Sequence, residues 1–468
     1  MELDMTKGSP TKLIAKFIIP IIIGNIFQQL YSMADTIIVG HFVGVDALAA
    51  VGATGSITFL ILGFTQGLTT GFTVLTAQRF GAGDKEGMKQ SIGSAYILAM
   101  VLAVVMTVLT YTQMDKLLHL MNTPDDIYEM TKSYILIICL GLSCNILYNL
   151  LASVLRAIGN SVLPLVFLVI AAVLNVGLDI LFIAVFDMGV DGAAYATVIS
   201  QGVSGILCLI YILVAVPAVR IEKRHWKPEG QCVKNQITIG LPMALQYSIT
   251  AIGTIMVQSA LNLLGSTVVA AYSVAGKVEM FVTQPYGAMG TTMATYGAQN
   301  RGVNDLDRIR KGVRSATIMT VIYSVIIYGV MLWVLPYMVR LFITEAEVAM
   351  VYGYVWDYAV LCGAFFIPLG LIFVYRHVLQ GCGFGVLPMM GGFVELICRG
   401  VVAFLAAKYM SYIGICMGNV AAWSITAVFF VILYMVLMRH MKRMKTAYES
   451  CSASSLSNSS PAMNQSGK

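Results

Sequence analysis

Long runs of apolar residues, separated by short polar segments, follow one another along almost the whole chain. Each run is long enough to cross a bilayer as a helix, since about 20 apolar residues suffice, and too long to be a strand of a membrane barrel. The pattern therefore predicts twelve transmembrane helices in two groups of six. The expected spans are residues 13–41, 51–78, 90–112, 127–154, 162–186 and 191–217, then 237–264, 270–299, 314–337, 350–380, 386–411 and 414–440.

Composition and charge agree with a membrane protein. The chain is 58% hydrophobic and 11% charged, whereas soluble proteins are about 25% charged. Most Lys and Arg residues lie in the N-terminus, the even-numbered loops and the C-terminus. The odd-numbered loops hold only Lys116, Lys132, Arg340 and Lys408. Because loops rich in Lys and Arg stay in the cytoplasm, we expect a multi-pass protein of the plasma (inner) membrane with both termini cytoplasmic.

The two halves of the chain repeat each other. A shift of 221 residues matches Ala77-Gln78 and Gly81 with Ala298-Gln299 and Gly302. Halves of six spans have the same orientation, so their symmetry axis lies along the membrane normal. We expect an all-α fold of two pseudo-symmetric six-helix lobes around a central cavity. The predicted parts are an N-terminal lobe (1–219), a cytoplasmic connector (220–236), a C-terminal lobe (237–440) and a disordered cytoplasmic tail (441–468).

A carboxylate, Asp35, interrupts the first span, where an ionisable side chain normally faces a cavity and marks an ion or substrate path. The predicted topology puts Asp179 and Thr197 at a similar depth, with Asn175 and Tyr31 one turn deeper. We interpret these residues as a coupling-ion site. It would bind a proton, because two close carboxylates titrate together, or Na⁺, which suits oxygen ligands. The alternative is a hydrogen-bonded cluster that only joins helices.

A second set of polar residues in the spans predicts a substrate cavity. Several recur every four residues along the seventh span, one shares a helix face with Asp35, and one is an acidic residue in the eighth span. The candidates are Gln28, Gln246, Thr250, Gln258 and Glu279. The alternatives are hydrogen bonds between helices and, for Glu279, extension of the side chain to the interface.

Two further features bear on the mechanism of transport. Pro20 lies about one-third into the first span and is a candidate hinge, because proline removes a helical hydrogen bond; a static kink is the alternative. The sequence contains no GxxxxGK[ST] motif for nucleotide hydrolysis. We therefore expect an ion gradient to drive transport. The cysteines show no metal-ligand spacing and the basic residues are spread over short loops, so we also expect no structural metal and no nucleic-acid partner, and we expect no enzymatic activity and no cofactor. We expect a monomer in the lipid bilayer that moves small organic molecules, with H⁺ or Na⁺ as coupling ion.

Three motifs point to a known family. The first is P-x₇-QQLYSMADTIIVG-x₃-G followed by ALAAVG, the second is LRAIGNSVLP, and the third is NVGLD with a downstream Thr. From about Leu13 to His440 the chain resembles the multidrug and toxic compound extrusion (MATE) family, bacterial type. The resemblance implies that Asp35, Asn175, Asp179, Thr197 and Tyr31 form the family's proton or sodium site, that Pro20 is the bend in the first helix, and that the exported compounds are bulky and often cationic.

The sequence thus predicts a cation-coupled (H⁺ or Na⁺) antiporter that exports amphipathic, often cationic, organic compounds by alternating access. The alternative is a lipid-linked oligosaccharide flippase of related architecture. A flippase needs a cationic cavity for its phosphate-bearing substrate. We expect only Lys277 and Arg399 as basic residues within the spans, and Arg399 follows Glu395 by four residues, the spacing of a helical ion pair.

Overall fold

The computed structural model describes residues 3–121, 123–342 and 345–458, and nearly all of them are helical. A π-helical segment, Ile180–Val185, continues α7. The helices are α1 (Pro10–Phe42), α2 (Val45–Ala53), α3 (Gly55–Gly81), α4 (Lys85–Leu120), α5 (Tyr128–Leu140), α6 (Leu142–Ala157), α7 (Val162–Asp179), α8 (Gly189–Ala215), α9 (Gly230–Asn262), α10 (Ser266–Gly302), α11 (Leu306–Phe342), α12 (Glu345–Gly363), α13 (Phe366–Gly381), α14 (Val386–Lys408) and α15 (Tyr412–Asn458).

The helices of the described residues account for the twelve expected membrane crossings. In the described part of the chain, nine helical stretches are each long and apolar enough to span a bilayer. Two further crossings are bent pairs, α5 with α6 at 46° and α12 with α13 at 49°. The twelfth is α10, which is 37 residues long and more polar than the others. The chain is a multi-pass membrane protein with two lobes, α1–α8 and α9–α15, and the predicted fold class is confirmed.

Both termini lie on one side of the membrane. The backbone N–H of Met5 donates to Gln299 Oε1 at 2.9 Å, and Lys445 Nζ donates to the Asn304 carbonyl at 3.2 Å. The first residues and the end of α15 therefore both meet the turn between α10 and α11. We call this the termini side and the opposite one the far side.

The lobes are in close contact on the termini side. A Cβ atom on Gly71 in α3 would lie 2.3 Å from the Cα of Gly240 in α9, so the two backbones touch at a distance that only glycine permits. At the far side, a Cβ atom on Gly55 or Gly276 would meet no other atom of the described residues within 4 Å. The lobes thus join on the termini side, and these two far-side glycines have no such contact.

The C-terminal helix is longer than the sequence pattern predicts. α15 continues to Asn458, so residues 441–458 are helical where a disordered tail is expected. Met441 is 5% exposed and packs into the core of the C-terminal lobe, and Lys445 contacts Asn304, which holds this extension against the lobe. Residues 459–468, the rest of the predicted tail, lie outside the described residues. The connector is shorter than expected, because α9 begins at Gly230.

Candidate functional site

Three helices of the N-terminal lobe bring the predicted ion-site residues together. α1 carries Asp35, α7 carries Asn175 and Asp179 one turn apart, and α8 carries Thr197. Asp35 is 8% exposed, Asn175 2% and Asp179 0%. The Asn175 side-chain amide donates to Thr197 Oγ1 at 3.4 Å, a long hydrogen bond that connects α7 to α8. The sequence-predicted residues therefore lie in one buried cluster.

Four side-chain oxygen atoms of this cluster lack hydrogen-bond donors among the described residues. Within the described residues, no donor reaches Asp35 Oδ1, Asn175 Oδ1 or either carboxylate oxygen of Asp179. An unsatisfied buried polar atom costs about 1–3 kcal/mol, so native structures contain few of them. Asp35 and Asp179 are also close enough to interact electrostatically, and two ionised carboxylates would repel each other. A cation bound to these four oxygen atoms would satisfy them and reduce the repulsion between the two carboxylates.

The surroundings of the two carboxylates are unusual in one further respect. The backbone changes from α to π immediately after Asp179, at Ile180, and π-helical turns occur frequently at functional sites. Tyr31 lies one turn before Asp35 on α1 and lines the same cavity as Gln28 and Gln201. The π turn has no recognisable signal in the apolar run that contains it, so the sequence did not predict it.

A cavity of about 210 Å³ lies beside the cluster and extends toward the termini side. It reaches Asn175 and Thr197 at one end and the start of α7 at the other. Residues of α9, α10 and α13 close one wall, so both lobes contribute to it. The α1 and α6 side chains that line it include Pro20, Asn25, Gln28, Asn145, Asn149 and Arg156.

The α6 residues of this lining were missed in the sequence. Asn145, Asn149 and Arg156 follow one another at spacings of four and seven, which places them on one helix face, and this spacing was a usable signal. Arg156 was counted with a loop, but it lies in the last turn of α6. Arg376 lies inside α13. The expectation that Lys277 and Arg399 are the only basic residues within the spans is therefore wrong.

The polar stripe of the seventh span is mainly engaged in hydrogen bonds within the protein. Gln246 is 7% exposed, and its amide lies 2.9 Å from the Gln380 amide and 2.6 Å from the Arg376 guanidinium. Thr250 Oγ1 donates to the Gln246 carbonyl at 3.0 Å. Gln258 Nε2 lies within hydrogen-bond distance of the next stripe residue, Asn262. Of the cavity candidates, Gln28 lines the cavity described above. Gln246 hydrogen-bonds to another helix, α13, whereas the hydrogen bonds of Thr250 and Gln258 lie within α9.

The acidic residues of the C-terminal lobe also have partners. The Tyr358 hydroxyl donates to the Glu279 carboxylate, and Asn419 Nδ2 lies 3.3 Å from the Tyr358 hydroxyl. Glu279 does not line the cavity described above. Glu395 and Arg399 are 3.8 Å apart, as their spacing predicts. Glu279 and Glu395 of the C-terminal lobe thus each have a polar partner, whereas neither carboxylate oxygen of Asp179 has a donor among the described residues.

The family follows from the sequence as a whole. Residues 20–181 and 239–405 match the MatE family model, one match in each lobe. The chain belongs to the MATE family of efflux transporters. This MATE transporter is 30% identical over 412 residues to "Probable multidrug resistance protein YpnP" of Bacillus subtilis (strain 168), a match that covers 87% of this chain and 88% of that protein. It is 24% identical to "Probable multidrug resistance protein NorM" of Thermotoga maritima, covering 88% of each chain.

Solved structures agree with the fold of this MATE transporter. A structure described as MATE in complex with MaL6 superposes with a TM-score of 0.89 at 23% identity, covering 94% of this chain and 99% of that one. A structure described as the outward-facing conformation of a multidrug resistance MATE family transporter superposes with a TM-score of 0.88 at 23% identity, covering 94% and 98%. At these identities the likeness shows the shared twelve-helix fold. The named relatives do not favour the flippase alternative.

Proposed function

We propose that this MATE transporter is an antiporter in which entry of H⁺ or Na⁺ through the Asp35–Asp179 cluster drives export of amphipathic, often cationic, organic compounds. The observation that carries the proposal is the set of buried oxygens without donors on Asp35, Asn175 and Asp179. A proton on one carboxylate supplies a donor to its neighbour, and Na⁺ accepts several of these oxygens as ligands. Either ion relieves the repulsion between the two carboxylates.

Coupling requires that ion binding changes the preference between two conformers. A bound ion shifts a conformational equilibrium only by its difference in affinity for the two states. We place both termini in the cytoplasm, so the form described above, closed on the termini side, is outward-facing. The cluster joins α1 to α7 and α8, and its occupancy therefore changes how α1 packs on the N-terminal lobe. Substrate in the adjoining cavity favours a different packing of α1, so substrate and ion compete with each other.

The test uses purified protein in liposomes, with efflux of a fluorescent organic cation followed under an imposed pH gradient and, separately, an imposed Na⁺ gradient. Wild type is compared with Asp35→Asn and Asp179→Asn, which preserve side-chain size and remove the charge. We expect one gradient to drive efflux in wild type and neither to drive it in the two variants. The gradient that works names the ion.

The matched control is Asp187→Asn. Asp187 is an exposed carboxylate eight residues after Asp179, with a φ of 54° that Asn also tolerates. We expect this variant to transport like wild type. If folded Asp35→Asn and Asp179→Asn proteins both retain gradient-driven efflux, the cluster is only a structural contact between helices and the proposed coupling is wrong.

A further inference from the structure

A single arginine stands at the termini-side end of the cavity. Arg156 lies in the last turn of α6 and lines the cavity. It also lines a small adjoining space near the lobe interface, together with Thr70 and Thr291. Arg156 Nη2 donates to Ser153 Oγ at 2.9 Å, one turn earlier in the same helix. The guanidinium is therefore held in the protein interior at the point where the cavity ends.

This guanidinium has no acidic partner. Among the described residues, no Asp or Glu lies within ion-pair distance of Arg156, and the residues that line the cavity include no carboxylate. A guanidinium has five N–H donors, and Ser153 takes only one. No further hydrogen bond of this guanidinium is found among the described residues, and Arg156 lines the cavity. The carbonyl groups at the end of α6 stabilise a positive charge there, but they leave these donors unused.

The charges at the two ends of the cavity are opposite. Along α7 the cavity extends from Pro164, near the termini side, to Asn175, and Asp179 follows one turn later. Fifteen residues of helix separate Pro164 from Asp179, or about 22 Å at 1.5 Å per residue. Arg156 is at the near end and the Asp35–Asp179 cluster at the far end. The space between them is lined by neutral polar and apolar side chains.

We propose that Arg156 binds a carboxylate of the transported molecule, so that the preferred cargo is a zwitterionic amphipath with its carboxylate at Arg156 and its cationic group toward Asp35 and Asp179. An Arg–carboxylate pair makes charge-assisted hydrogen bonds, which are stronger than neutral ones and directional. The proposal rests on the proposed function, because it assigns the cargo of the same cavity. It makes Arg156 a specificity-determining residue and leaves the ion site unchanged.

The test compares two cargo molecules that differ only in the acidic group. One is a cationic xanthene dye with a free benzoate, and the other is the methyl ester of the same dye. Efflux of each from liposomes is measured for wild type, Arg156→Lys and Arg156→Gln. We expect wild type to prefer the free acid about tenfold, as loss of a charge-assisted pair allows. Arg156→Gln should lose that preference because it slows export of the free acid more than export of the ester, and Arg156→Lys should retain part of it.

The control variant is Arg220→Gln, which removes an exposed arginine of the connector and should keep the wild-type preference. Equal efflux of acid and ester by wild type, or equal slowing of both by Arg156→Gln, overturns the Arg156 assignment and leaves the antiporter proposal intact. If neither dye moves under either gradient, the proposed function itself fails. Should Arg156→Gln not fold, equilibrium binding of the two dyes to wild type in detergent decides, since equal affinities for acid and ester contradict the assignment.

Discussion

Gln78 and Gln299 occupy equivalent positions in the two halves of the chain, and each donates its side-chain amide to a backbone carbonyl of the other half. Gln78 Nε2 donates to the Gly381 carbonyl at 2.9 Å, and Gln299 Nε2 donates to the Ala157 carbonyl at 2.9 Å. Gly381 and Ala157 are the last residues of α13 and α6. The glutamines therefore satisfy helix-end carbonyls that have no partner within their own helices.

This interlobe glutamine pair, Gln78 and Gln299, lies where the lobes meet. Its two hydrogen bonds, at equivalent positions of the sequence repeat, hold the two lobes together on the termini side. Gln299 is also oriented by the N-terminal segment, because its Oε1 accepts from the Met5 backbone N–H at 2.9 Å. The pair is lost when the lobes separate on the termini side, so it stabilises the closed conformer and not the alternative one.

The first prediction concerns this pair. Gln78→Ala and Gln299→Ala each remove one hydrogen bond between the lobes, worth about 1 kcal/mol, which should change the ratio of the two conformers about fivefold. We expect faster amide hydrogen exchange in the part of α3 near Gly81, measured by mass spectrometry. Gln90→Ala is the control, since Gln90 Nε2 donates to the Lys227 carbonyl of the connector and not to the other lobe. Unchanged exchange in both interlobe variants would show that the pair contributes nothing to closure.

The second prediction tests the backbone contact between the lobes. A Cβ atom on Gly81 would lie 2.0 Å from the Gln299 carbonyl oxygen, a distance that no folded packing tolerates. Gly81→Ala should therefore force the lobes apart on the termini side and abolish transport while the protein remains in the membrane. Gly55→Ala, in the same helix, should be neutral, because a Cβ atom there meets no described atom within 4 Å. Normal efflux by Gly81→Ala would contradict the closed contact.

The third prediction concerns the N-terminal segment. Arg308 Nε and Nη2 donate to the Met5 carbonyl at 3.0 Å and 2.9 Å, and Nη1 donates to the Gly8 carbonyl at 2.8 Å. Arg308→Gln should lower the stability of the detergent-solubilised protein by about 1–3 kcal/mol, because hydrogen bonds to a charged group are lost. Arg310→Gln should cost less than about 1 kcal/mol, since Arg310 pairs at 3.3 Å with the exposed Asp307. Equal melting temperatures for the two variants would show that the segment is not anchored by Arg308.

The sequence predicted the architecture well because a membrane crossing depends on the length and hydropathy of one apolar run. Both can be determined without knowing the contacts between helices. It also matched Gln78 with Gln299 through the repeat, but it did not predict their hydrogen bonds, which exist only when two lobes dock. The bend at Gly141 was missed for a similar reason. A Cβ atom there would lie 2.3 Å from a side-chain carbon of Val198 in α8, so the break depends on a neighbouring helix and not on the apolar run itself.

The candidate site was likewise predicted only in part from the sequence. Asp35 and Asp179 stood out in the sequence because charge is rare within apolar runs. Arg156 did not stand out, because a basic residue near the end of a run resembles an ordinary loop residue. The side on which its guanidinium lies depends on the packing of α6 against α3 and α8. The lack of donors around Asp179 is likewise a property of the assembled helices.

The last prediction concerns Pro20, which lies inside α1 between segments that pack on different lobes. Before it, Ile14 and Phe17 are buried in the core of the C-terminal lobe; after it, Val39 packs in the core of the N-terminal lobe. Proline leaves one helical hydrogen bond unmade, so α1 can bend there when the lobes move relative to each other. Pro20→Ala restores that hydrogen bond and should stiffen α1. We expect gradient-driven efflux to fall several-fold while equilibrium binding of the dye is preserved.

The control for this prediction is Pro336→Ala, because Pro336 also lies inside a long helix, α11, and does not line the cavity. It should leave both efflux and binding near wild type. A static kink at Pro20 would instead make the two proline variants alike. Loss of dye binding together with efflux in Pro20→Ala would show that Pro20 shapes the cavity wall, which it lines, and not the movement of α1.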